Sequence, residues 1–147
     1  MTRGHAAFFG LFLTSSWRVL VLAFLAGLFS ATALPPWSFP LGIFGFSVLF
    51  LLIYRTKKIK KGVLVVWVFS FGYHLFGLQW ISNALLIDSK QFAWLLPFSL
   101  IGIPALLAII PSLIMPILCK ILLPPFWFPV LASTLWTLSE YLRGHIF

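Results

Sequence analysis

Four stretches of the chain contain no Lys, Arg, Asp or Glu: 19–54, 62–87, 91–119 and 121–139. A helix needs about 20 apolar residues to cross roughly 30 Å of hydrocarbon, so each of the last three stretches holds one span. The first stretch is 36 residues, too long for one helix, and it contains Leu34-Pro35-Pro36-Trp37. Adjacent prolines stop a helix because they remove backbone donors and crowd the preceding turn. That stretch therefore divides into two short spans around a tight turn. The pattern predicts an all-α integral membrane bundle of about five helices, over 17–34, 38–54, 62–86, 92–118 and 130–147. Residues 1–16 precede the bundle as a cytoplasmic or interfacial segment too short to span.

Composition agrees with the pattern. The chain has 147 residues, 62% of them hydrophobic and 8% charged, with a mean hydropathy of +1.11. A soluble domain carries about 25% charged residues. The net charge of +8 would suit a nucleic-acid binder. Its distribution excludes that: five of the basic residues lie in Arg55-Thr56-Lys57-Lys58-Ile59-Lys60-Lys61, between two apolar spans. Such a loop is the mark of a cytoplasmic connection, and anionic headgroups attract it further. With that loop inside, five spans leave the N-terminus cytoplasmic and the C-terminus outside. Eight basic residues then fall inside and two, Lys90 and Arg143, outside. Arg18, an apolar run and Ala31-Thr32-Ala33 also resemble a secretory signal. The long region before Arg18 and the proline pair after Ala33 argue against cleavage.

The third span is the most textured. Gly72 and Gly77 allow a neighbouring helix to come close. Gln79 and Asn83 stand four residues apart on one face. With Trp80 they form a face of small and polar residues, and two readings stand for it: interhelical packing or contact with substrate. His74 has no partner at metal-ligand spacing, and no metal or other cofactor is expected. In the fourth span Pro97, Pro104 and Pro111 recur every seven residues, with Pro116 beyond. Seven residues is nearly two helical turns, so they share one side of a bent helix. Cys119 is the only cysteine and reads as a small apolar residue. In the fifth span Trp136, Glu140, Arg143 and Phe147 share a face, and Glu140 can pair with Arg143 three residues on. That pair reads either as a neutralising clamp or as a functional rim at the outer end of the span.

The stretches ATALPPWSFPLGIFGF, FGYHLFGLQWIS and LWTLSEYLRGHIF, in that order around a basic loop, resemble the membrane portion of apolipoprotein N-acyltransferases. The third-span pattern is matched by Gly72, Gly77 and Trp80. The fifth-span pattern is matched by Trp136, Glu140, Tyr141, Leu142 and Arg143. The resemblance implies a multi-pass protein of the bacterial inner membrane. It also implies phospholipid-dependent N-acylation of lipoproteins, through a periplasmic nitrilase-like domain with a Glu-Lys-Cys triad. No such triad is present, so no catalytic residue is expected in this chain. The expected form is a truncated or split one, inactive alone. Its expected partners are the phospholipid bilayer, lipoprotein substrates, and a separate chain carrying the nitrilase-like domain; nucleic acid is not among them. Trp136, Glu140 and Arg143 are expected to anchor the periplasmic junction or border the lipid entrance. The alternative is a small multi-span transporter or channel subunit, although the spans show no internal repeat.

Overall fold

A computed structural model describes residues 16–80, 93–121 and 124–146. The described residues are mostly helical, with no strand among them. Helix α1 spans Ser16–Ala31. A 3-10 turn, Pro40–Ile43, leads into α2, Phe44–Arg55. Helix α3 is Ile59–Gly77. The fourth pass is segmented: a π turn at Phe98–Gly102, α4 at Ile103–Leu107, α5 at Ile109–Ile114 and a 3-10 turn at Met115–Cys119. Helix α6 is Trp127–Ile146.

Among the described residues, two helical stretches are long and apolar enough to cross a membrane, Ile59–Gly77 with 19 residues and Phe98–Cys119 with 22. Ser16–Ala31 and Pro40–Arg55 are apolar but shorter. Sixteen residues of α1 rise about 24 Å, somewhat less than typical hydrocarbon thickness. Helix α1 stops at Ala31 because the backbone reverses over 32–39. Ser38 N–H donates to the Leu34 carbonyl at 3.0 Å and Phe39 N–H to the Thr32 carbonyl at 2.9 Å. The Pro35–Pro36 bond is cis, and Ser38 adopts a φ of 46°. At the other end of α2, Lys60 and Lys61 lie within the first turn of α3 rather than in a loop.

Contacts fix the direction of each pass. Gly62, at the start of α3, lies against Pro116 and Cys119, and Gly77, at its end, against Leu34. Phe46 meets Trp136 and Tyr54 meets Phe128, so α2 and α6 run antiparallel. Among the described residues the five helical stretches therefore alternate, with α1, α3 and α6 pointing one way. Arg18, the basic residues of 55–61 and Lys120 collect at one end of the bundle; Arg143 sits at the other.

The core lies between these passes. Ala23, Leu49, Ile53, Val65, Val66, Phe69 and Met115 are fully buried. Helices α1 and α3 come closest, through a glycine on each. A Cβ added at Gly72 would sit 2.7 Å from the Phe24 carbonyl oxygen, and one at Gly27 would overlap the Phe69 carbonyl. The absence of a side chain at both positions lets the two backbones approach closely enough to make dispersion contact.

The fourth helical stretch runs from Phe98 to Cys119 as successive π, α and 3-10 segments. Of the three prolines that the seven-residue spacing places on one side, Pro104 and Pro111 are buried and Pro97 is exposed; Pro116, outside that repeat, is buried as well. A proline cannot donate to the carbonyl four residues back, and one turn before Pro104 the ladder shifts so that Ile103 N–H reaches the Phe98 carbonyl. Hydroxyls also bond carbonyls along this pass: Ser99 Oγ donates to Leu96 O at 3.0 Å and Ser112 Oγ to Ile109 O at 2.7 Å.

Candidate functional site

Helix α6 buries one stripe, Phe128, Ala132, Trp136 and Ser139. Trp136 is enclosed by aromatic rings from two other helices. Phe46 lies 4.8 Å away, Tyr73 5.5 Å and Phe69 5.7 Å, all near edge-to-face. Rings prefer this geometry because a positive edge meets a negative face. One turn beyond Trp136, Glu140 emerges from this aromatic floor.

Arg143 donates to Glu140 Oε2 twice, from Nη2 at 2.7 Å and from Nε at 3.2 Å. This is the pair that the i,i+3 spacing predicts. The other carboxylate oxygen faces a different helix. Glu140 Oε1 lies 3.6 Å from Nε2 of His74, a residue only 3% exposed. His74 Nδ1 stands 2.8 Å from the Ser70 carbonyl oxygen. A carbonyl can only accept, so Nδ1 carries the proton. Nε2 is then an acceptor in a neutral ring and a donor only in a charged one. At 3.6 Å the contact to Glu140 is too long for a hydrogen bond, and both His74 Nε2 and Glu140 Oε1 are buried without a hydrogen-bond partner. A proton on Nε2 turns the contact into a charge pair; without it two acceptors face each other.

The site is thus a polar corner joining α3 to α6: His74, Glu140 and Arg143 seated above Trp136 and Tyr73. It can hold helices together and can present charge at a rim, since Arg143 and Glu140 retain 31% and 25% side-chain exposure. No cysteine belongs to it. Cys119 is buried at the basic end, its Sγ against Gly62. Among the described residues, no group of three His, Cys, Asp or Glu side chains could hold a metal ion.

The residues expected to form a packing face on the third span divide. Gly72 packs directly on α1 and Gly77 abuts Leu34. Gln79 is half-buried just past the end of α3. Trp80 is 58% exposed and lies beyond the end of α3 at Gly77, past the turn at 78–79. Asn83 lies outside the described residues. Sequence reasoning missed His74 as the partner of Glu140. The signal was depth: His74 is fifteen residues into α3 and Glu140 thirteen into α6, and the third and fifth spans run the same way.

These features define an all-helical bundle with membrane-length apolar helices, a basic end, and a charged corner at the opposite end. Residues 26–147 match the family described as the apolipoprotein N-acyltransferase N-terminal domain, and the chain belongs to that family. It is 35% identical over 144 residues to the apolipoprotein N-acyltransferase of Rhodopseudomonas palustris, covering 93% of this chain and 27% of that protein. The Brucella suis protein of that name is 42% identical over 107 residues, 66% of this chain and 20% of the relative. The Sinorhizobium medicae protein is 33% identical over 137 residues, 86% of this chain and 26% of the relative. The chain thus spans about a quarter of the length of these relatives. No solved structure matches it.

Proposed function

We propose that these 147 residues form the inner-membrane bundle of an apolipoprotein N-acyltransferase system, N-terminus in the cytoplasm and C-terminus in the periplasm. In such a system an acyl chain passes from a phospholipid to the N-terminal amine of a lipoprotein. The family match over 26–147 carries this reading. Orientation rests on the basic end, which gathers Arg18, the residues of 55–61 and Lys120 on one side. The Trp136–Glu140–Arg143 face then lies at the periplasmic rim, where it anchors the junction with a nitrilase-like domain. Covalent acyl transfer needs an activated thiolate with an acid/base beside it. The only cysteine, Cys119, is buried at the cytoplasmic end, away from Glu140. The acyl-transfer chemistry belongs to that other domain, so the bundle alone is inactive. The transporter or channel alternative has no observation of its own behind it.

The test is complementation in bacteria depleted of their own apolipoprotein N-acyltransferase, reading lipoprotein N-termini by mass spectrometry. The bundle alone should leave them diacylated. Supplying a nitrilase-like domain from a relative as a second chain should restore the third acyl group. Triacylation by the bundle alone refutes the assignment of chemistry to another domain. Failure of the pair, with both chains present in the membrane, refutes the assignment of the bundle.

A further inference from the structure

Two cavities meet at the basic end of the bundle. The first, about 290 Å³, runs along the outside of α2 from Ser47 through Phe50 and Leu51 to Tyr54 and is closed by Phe128 and Pro129 of α6. Its walls are almost wholly apolar. Ser47 to Tyr54 is about 10 Å of helix at 1.5 Å per residue. The second cavity, about 320 Å³, lies beyond Tyr54 and Phe128 and is lined in part by Lys57, Cys119 and Ile121. Tyr54 and Phe128, 5.0 Å apart and edge-to-face, line both. The Lys57 ammonium lies 6.0 Å from the Tyr54 ring centroid, so the cation stands where the apolar groove opens into the second cavity.

Charge completes the picture. Arg55, Lys57, Lys58, Lys60, Lys61 and Lys120 cluster at this end, and the only carboxylate side chain among the described residues, Glu140, belongs to the opposite end. A long apolar slot that leads to a lysine with no carboxylate near it among the described residues has the shape and charge of one kind of ligand. We infer that the α2–α6 groove binds an anionic phospholipid, one tail along Ser47–Tyr54 and the phosphate on Lys57. The leaflet fits: in the orientation proposed above this end faces the cytoplasm, whose membrane surface is negatively charged. The site is distinct from the charged corner at His74 and Glu140. It requires only that the chain sit in a bilayer, not that it take part in acyl transfer, so it stands or falls apart from the complementation test.

The experiment is native mass spectrometry of the full chain taken from nanodiscs holding equal phosphatidylglycerol and phosphatidylcholine. The expected result is retained phosphatidylglycerol in excess of phosphatidylcholine, reduced about five-fold by Lys57→Gln, the worth of one basic residue near an anionic surface. Lys60→Gln, which removes the same charge outside the groove, should change the ratio far less. Ser47→Trp, at an exposed position, should fill the slot and lower retention of both lipids. Equal retention of the two lipids in the unaltered chain overturns the proposal. So does an equal effect of Lys57→Gln and Lys60→Gln, which would mean diffuse attraction to the basic loop. Lys57 is exposed, so its substitution removes no buried contact and these outcomes are decisive even if Ser47→Trp fails to fold.

Discussion

Replacing Glu140 with Gln keeps the size of the side chain and removes its charge. That charge accepts two bonds from Arg143, at 2.7 and 3.2 Å, and faces His74 Nε2 at 3.6 Å. A hydrogen bond to a charged partner contributes about 1.5–3 kcal/mol when shielded from water, and an exposed ion pair about 0–1 kcal/mol. Glu140 and Arg143 are 25% and 31% exposed, so the loss falls between, at about 1–2 kcal/mol. A domain of this size shifts its midpoint by about 2–4 °C per kcal/mol, so unfolding of Glu140→Gln in detergent micelles should start roughly 2–8 °C lower. Thermal melts followed by circular dichroism would read this. The change should also be felt at His74, in either direction, because Glu140 Oε1 faces a second helix as well as its own. His74→Phe combined with Glu140→Gln should then depart from additivity by about 0.5 kcal/mol or more, the range for residues in contact. An unchanged midpoint in Glu140→Gln would refute a structural role for the carboxylate. Strict additivity of the two changes would reduce the site to a pair on one helix and refute the bridge to α3.

Three further outcomes follow from the packing. Gly72→Leu should destabilise by about 1–3 kcal/mol, because its Cβ meets the Phe24 carbonyl at 2.7 Å; a midpoint equal to that of the unaltered chain would show that α1 and α3 are not in contact. Trp136→Ala removes three edge-to-face pairs, worth about 0.5–1.5 kcal/mol each, while in lipid the transfer contribution nearly vanishes. A loss of about 2–4 kcal/mol is therefore expected in denaturation assays. In a Cys119→Ser background, a cysteine placed at Lys58 should react with a membrane-impermeant maleimide only after inner-membrane vesicles expose the cytoplasmic face; labelling in spheroplasts would reverse the proposed orientation.

Much of this protein could be read from its residues in order. The charge-free stretches marked where long apolar helices run, because a helix satisfies its own backbone hydrogen bonds and charges are costly in apolar surroundings. Pro35 and Pro36 marked the reversal between the first two passes, and the Glu140–Arg143 pair followed from helical spacing alone. Local rules suffice where partners lie within one turn of each other. Other features needed the tertiary structure. The pairing of Gly27 with the α3 backbone depends on how two distant helices dock, and so does the approach of His74 to Glu140, 66 positions apart. The fourth helical stretch was half legible: its prolines announced a bend, but its division into π, α and 3-10 segments, and which prolines turn inward, needed the tertiary structure. Spacing alone also does not show that Trp80 lies exposed beyond the end of α3 at Gly77. Periodicity says which residues share a side of a helix. Only the docking of one helix on another says what that side touches.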